Sequence, residues 1–153
     1  MYLKRLQLTN FKNILNADIE LCEKINCFIG NNGTGKTNLL DAVYYLSYCK
    51  SFFNLIDNQN INHNADFFSI HGKYYRGIER EDNVSCIQKK NSRKVFKFNN
   101  KEYDRLADHI GSIPLIMISP YDSDLINDGS EVRRKYLDSV ISQFDRIYLD
   151  DLI

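Results

Sequence analysis

Gly30-Asn31-Asn32-Gly33-Thr34-Gly35-Lys36-Thr37 meets the pattern G-x-x-x-x-G-K-T in full, with Gly33 as an additional glycine. In such a loop the glycines let backbone amides turn inward around a phosphate. A helix that follows presents its first N–H groups and its positive dipole end to the anion. Lys36 then reaches the β- and γ-phosphates of a nucleotide such as ATP, which makes it the candidate catalytic residue, and the Thr37 hydroxyl is placed to bind Mg2+. Asn31, Asn32 and Thr34 complete the candidate cofactor-binding loop. A strand before the loop and a helix after it are the context that confirms the motif. Ile25 to Ile29 reads as a mostly apolar strand running into Gly30. From Thr37 the period turns helical, with Leu39, Leu40, Val43 and Leu46 on one face.

Upstream, Leu6 and Leu8 alternate with Arg5 and Gln7, then Ala17, Ile19 and Leu21 with Asp18 and Glu20, the period of two half-buried strands around a loop at Asn10-Phe11-Lys12-Asn13. Downstream, residues 50 to 68 are rich in Asn, Asp and Phe and read as a connector. Short β-like runs follow at 69–76, 84–89 and 95–98, and Asn99-Asn100 is suited to close a hairpin into Glu102-Tyr103. A short helix over 104–110 leads to Pro114-Leu115-Ile116-Met117-Ile118, whose unbroken apolar character fits a fully buried parallel strand. Asp128-Gly129-Ser130 reads as a turn with Ser130 as N-cap of a helix carrying Val132, Tyr136, Leu137, Val140, Ile141 and Phe144. A further amphipathic stretch from Asp145 has no C-cap glycine or polar tail, so the sequence predicts a cut through a larger protein. The expected architecture is α/β: a P-loop core over 1–50 and 111–153, C-terminally incomplete, with an antiparallel β-rich lobe inserted over 51–110.

At 153 residues with 43% hydrophobic and 26% charged residues, the chain has the composition of one soluble globular domain rather than of a disordered or fibrous segment. Twenty basic and twenty acidic residues cancel, so overall charge argues for neither nucleic acid nor membrane. Cys22, Cys27, Cys49 and Cys86 show no C-x-x-C spacing and form no ligand pattern with His63, His71 or His109, which speaks against structural zinc. The start lacks the apolar stretch of a signal peptide and no run reaches the length of a membrane span, so a cytoplasmic protein with reduced thiols and no membrane partner is expected.

Three separated blocks carry a family resemblance. They are Tyr2-Leu3-Lys4-Arg5-Leu6-Gln7-Leu8-Thr9-Asn10-Phe11-Lys12-Asn13, the loop with Asn38-Leu39-Leu40-Asp41-Ala42 behind it, and Ile118-Ser119-Pro120-Tyr121-Asp122 with Arg133-Arg134-Lys135-Tyr136-Leu137-Asp138. Together they resemble the RecF family of bacterial recombination mediators, whose ATPase head is similar to those of SMC and ABC proteins. The resemblance implies that Gly30 to Thr37 hold ATP and Mg2+, that Asn38 supports the loop, and that Lys12 and Asn13 lie beside the nucleotide. For Lys12 a solvated turn lysine is the competing reading. The family's acidic strand-end pair and signature segment lie downstream of Ile153, so this stretch alone is expected to bind nucleotide weakly and not to hydrolyse it at a useful rate. The whole protein, by resemblance, forms an ATP-dependent homodimer on single-stranded and gapped DNA and works with RecO and RecR to load RecA.

Lys89, Lys90, Arg93 and Lys94 open a basic cluster, continued by Lys97 and Lys101 and interleaved with Phe96 and Phe98. It is a candidate for DNA phosphates, against the plainer reading of a solvated β face. Arg133-Arg134-Lys135 place three cations in a first helical turn, against its dipole, where an anion would help. Two other functions compete: a P-loop kinase of a small metabolite, which needs an Arg-rich helical lid where this chain is β-patterned, and a non-catalytic nucleotide-binding fragment.

Overall fold

The N-terminal alternation forms β1, Tyr2–Phe11, and β2, Ile14–Glu20, paired antiparallel with Leu6 against Ile19 and Leu8 against Ala17. A computed structural model describes the chain apart from residues 78, 79 and 128 and the side chains of Tyr121 and Asp124. The expected β runs form β3, Phe67–Tyr75, β4, Glu81–Lys89, β5, Val95–Phe98, and β6, Lys101–Glu102. All belong to one antiparallel sheet of order β2-β1-β3-β4-β5-β6. The β-rich segment is therefore antiparallel, as expected, and its first strand hydrogen-bonds to β1, extending the N-terminal hairpin. Asn99 and Asn100, at φ 49° and 67°, make the tight turn between β5 and β6.

Register lines up the core. Leu8, Ile70, Cys86 and Phe96 sit opposite one another across four strands, as do Leu6, Gly72, Val84 and Phe98 in the adjoining row. The helix after the glycine loop, α1, Lys36–Tyr48, lies on this face and buries Leu39, Ala42, Tyr45 and Leu46. Gly72 permits the close approach, since a Cβ there would stand 2.5 Å from Leu46 Cδ1. The stripe facing the sheet runs 39, 42, 45, 46, 49, so Leu40, expected on the buried face, falls on its flank and is 48% exposed.

His109 closes the end of α1. It lies in a short 3-10 turn, Leu106–His109, where a helix was expected. Its Nε2 donates to the Leu46 carbonyl at 2.7 Å, and the Tyr103 hydroxyl is 3.3 Å from Nδ1. Burial pushes its imidazolium down to about 4 against the opposing pull of the Leu46 carbonyl. The unfolded chain takes up this proton near 6.5, well before the folded one does. Stability should therefore fall as pH drops from 6.5 towards 4, by about 2.5 kcal/mol at pH 4.5. Urea midpoints at pH 7 and 4.5 check this; in His109→Gln that part of the pH dependence should vanish.

Two expected strands do not form. Residues 25–29 and 114–118 carry no regular secondary structure and lie outside the sheet, with Ile25, Ile29, Ile116 and Ile118 exposed at 80%, 94%, 68% and 82%. A strand needs neighbours for its N–H and C=O groups, and among the described residues no strand pairs with either run. Leu115 is instead held by a side chain: its N–H donates to Gln143 Oε1 at 2.8 Å and its carbonyl accepts from Gln143 Nε2 at 3.2 Å. The C-terminal segment from residue 124 is mostly helical: α2, Asp124–Asn127, α3, Ser130–Ile141, and α4, Arg146–Leu152. Ser130 is the first residue of α3, not its cap; Gly129 takes that position without a side-chain bond, and Asp128 of the expected turn lies outside the described residues. Although α3 has the expected helical spacing, none of its residues is buried. Among the described residues no helix is long and apolar enough to cross a membrane.

Candidate functional site

The loop from Gly30 to Thr37 enters α1 through two glycines in the left-handed region, Gly33 at φ 80° and Gly35 at φ 102°. Any L side chain would be strained at either position. Gly35 is the N-cap of α1 and supplies no side-chain bond to it, and no acidic residue stands in the first helical turn. The first amides of α1 are therefore not claimed by a capping side chain, and no carboxylate opposes an anion there. Lys36 folds back over the loop, its Nζ donating to the carbonyls of Gly30 and Asn31 at 2.7 Å each. Thr34 Oγ1 donates to the Asn31 carbonyl at 2.9 Å, and Thr37 is exposed in the first turn of the helix.

The turn between β1 and β2 braces this loop. Asn13 Nδ2 donates to the Gly33 carbonyl at 2.8 Å, while Asn38 Nδ2 donates to Asn13 Oδ1 at 2.8 Å. Asn38 thus meets the loop through Asn13. Lys12, next in the turn, engages α1 one turn further on: Nζ bonds Asp41 Oδ2 at 2.5 Å and Ser51 Oγ at 3.3 Å, and its side chain is 14% exposed. It is not a solvated turn lysine. Asp41 and Ser51 went unremarked as site residues in the sequence; the readable signal was Asp41 three positions after Asn38, on one face of α1.

The basic cluster divides. Lys94 does not belong to a nucleic-acid surface: its side chain is 9% exposed, and Nζ donates to Tyr45 Oη, the Cys49 carbonyl and Asp57 Oδ1 at 2.6 to 2.8 Å. Burial also pushes the neighbouring Cys49 thiol up to about 12, so that thiol stays protonated. Phe96 is fully buried and Phe98 packs against the core, which removes them as stacking platforms. Lys89 and Arg93 are exposed, Arg93 donating to the Asp104 carbonyl, and Lys90 pairs with Asp66. In α3, Arg133 donates to the Leu125 carbonyl and Lys135 pairs with Glu131 at 2.7 Å, so part of that charge is matched internally. Asp122 accepts from the amide and hydroxyl of Ser119, a local cap.

The model of the AAA ATPase domain family matches residues 1–133. Over 153 residues the chain is 56% identical to the DNA replication and repair protein RecF of Phocaeicola vulgatus, covering all of this chain and 41% of that protein. It thus spans about two-fifths of the length of such relatives. Solved structures described as the recombination mediator protein RecF-ATPrS and RecF-ATP in the RecFOR pathway superpose on 99% of the chain, with TM-scores of 0.93 and 0.91 and 32% identity, over 41% and 42% of their own chains. An SMC ATPase structure, 17% identical with a TM-score of 0.68 over 95% of this chain and all of its own, shares the fold. None of these relatives is described as a kinase, and β3 to β6 are strands of the sheet that contains β1, not an Arg-rich helical lid. The chain belongs to the AAA ATPase domain family, and along its whole length it is similar to the N-terminal part of the DNA replication and repair protein RecF.

Proposed function

We propose that the protein carrying this chain is an ATP-dependent DNA-binding protein of recombinational repair and replication. It acts in the cytoplasm at single-strand gaps, helping RecO and RecR to load RecA and so supporting the SOS response. The observation that carries the nucleotide part is the loop itself: two left-handed glycines deliver the chain into a helix whose N-terminus has no side-chain cap and no acidic first turn. Mg2+ is compatible with this donor set. It is usually carried on nucleotide phosphates and water with one or two protein oxygens, and Thr37 offers a hydroxyl in the first turn of α1. ATP serves as a switch: an ATP-bound homodimer holds single-stranded or gapped double-stranded DNA, and slow, DNA-dependent hydrolysis releases it. Fluorescence anisotropy of a gapped duplex with the full-length protein tests this. Binding should be tighter with ATP than with ADP or no nucleotide; equal affinity in all three states rejects the switch.

Lys89, Lys90 and Arg93 remain the DNA-facing part of the basic cluster in this proposal. Reversing all three charges is expected to weaken DNA binding and to flatten its salt dependence by about 0.9 in log–log slope for each DNA phosphate no longer neutralised. Lys94→Ala should instead lower stability by about 1–3 kcal/mol, because the Cys49 carbonyl loses the ammonium's donation and the Asp57 carboxylate, to which Tyr45 Oη still donates, loses its counter-charge. An unchanged salt slope in the triple variant would return those residues to an ordinary solvated face.

A further inference from the structure

We infer that Asn13 is the positioning residue of the phosphate cradle, acting through the peptide that joins Gly33 to Thr34 and not on the nucleotide. The inference rests on the ATP-binding reading above and names how that site is held in shape. In a planar trans peptide the C=O and the next N–H point in opposite directions. Asn13 Nδ2 holds the Gly33 carbonyl at 2.8 Å, on the side of the β1–β2 turn. The Thr34 N–H is thereby turned to the opposite side, as a nest of amides around an anion requires.

Two further contacts fix the carboxamide that does this. Asn38 Nδ2 donates to Asn13 Oδ1 at 2.8 Å, so Oδ1 is the acceptor end and Nδ2 must face Gly33. The same side chain lies against the loop's last glycine: a Cβ on Gly35 would stand 2.9 Å from Asn13 Oδ1 and 3.2 Å from Ile14 Cγ1. One side chain therefore touches the loop at Gly33 and again at the entry to α1. Its base is stiff. Asn10 and Lys12 hold left-handed conformations at φ 53° and 52°, Lys12 N–H donates to the Asn60 carbonyl at 2.8 Å, and Asn62 Nδ2 donates to the Lys12 carbonyl at 2.6 Å. Asn13 is itself exposed, so core packing does not require it. Its geometric work is directed at the loop.

Because the action is on the backbone cradle, it should not depend on base or ribose. Titrations of the full-length protein with ATP and with inorganic tripolyphosphate read this. Asn13→Ala is expected to weaken both by the same factor, about five- to tenfold, the value of one or two hydrogen bonds. Asn13→Asp keeps the size and the acceptor for Asn38 but loses the donor to Gly33, and should lose at least as much. Asn38→Ala should lose less, and the Asn13→Ala/Asn38→Ala double variant no more than Asn13→Ala alone, since both act along one path. Without any ligand, amide exchange in residues 30–36 should quicken in Asn13→Ala while the melting temperature stays near that of the parent. A loss for ATP with tripolyphosphate unaffected would make Asn13 a direct nucleotide contact and overturn the inference; so would unchanged affinity for both, or additive losses in the double variant. If the parent protein binds neither ligand, the ATP reading fails, and the ligand-free exchange rates still decide whether Asn13 orders the loop.

Discussion

Lys36→Ala is expected to weaken ATP binding by about 100-fold or more in the full-length protein and to abolish ATP-dependent DNA binding, with the fold intact. The ammonium makes two hydrogen bonds, both to carbonyls of the loop itself, and none into the core. Removing it therefore costs the sheet and α1 nothing they pack against. Towards a nucleotide the balance is different. A hydrogen bond to a charged group contributes about 1.5–3 kcal/mol, and Lys36 is placed for two phosphates, so about 3 kcal/mol and a factor of about 100 follow. Titration with a fluorescent ATP analogue and a thermal melt measure the two halves. A variant that binds ATP within about threefold of the parent would show that the loop does not use its lysine as P-loops do. A variant that melts far below the parent would show that Lys36 holds the fold instead.

The loop's geometry was readable because it is local. Gly33, Gly35, Lys36 and Thr37 lie within five positions, and their meaning comes from backbone conformation and from charge at a helix end. The bracing of the loop was readable only in part. Asn13 and Asn38 were visible through the family resemblance, yet which atom meets which depends on a turn 20 residues upstream of Gly33. The basic cluster shows the opposite failure. Lys94 sits among solvent-facing cations in sequence, but Asp57 and Tyr45 reach it from 37 and 49 positions away. The two missing strands fail for a similar reason. The run 25–29 reads as a mostly apolar strand and 114–118 as a buried parallel one, but a strand exists only where neighbours satisfy its backbone, and composition does not say where those neighbours are. By contrast β5 and its turn at Asn99-Asn100 match their expected bounds, because a two-residue hairpin is fixed by residues next to one another.

Asp41→Ala is expected to be the most destabilising change near the site, by about 3–5 kcal/mol, the usual cost of breaking a buried pair from one side. The Asp41 side chain is fully buried, and its carboxylate accepts from Lys12 Nζ at 2.5 Å, Ser51 Oγ at 2.6 Å and the Phe52 amide at 2.7 Å. Alanine leaves all three donors without this acceptor, the ammonium among them at 14% exposure. Lys12→Met/Asp41→Leu removes both charges together and should recover part of the loss, because no ion is then buried alone. Urea unfolding of the parent, the single variant and the pair measures this, and a parent-like midpoint for Asp41→Ala would mean the pair does not hold the turn. The consequence for the loop separates Asp41 from Lys36. Asn38 and Asp41 are three residues apart on α1, where Asn38 donates to Asn13 and Asp41 accepts from Lys12, adjacent in the turn, so loosening the buried Lys12–Asp41 anchor loosens the turn that carries Asn13. Asp41→Ala should therefore lose nucleotide affinity in step with stability, and urea below the unfolding transition should deepen the affinity loss. In Lys36→Ala the affinity loss should be independent of urea, because there only the ligand's partner has been removed.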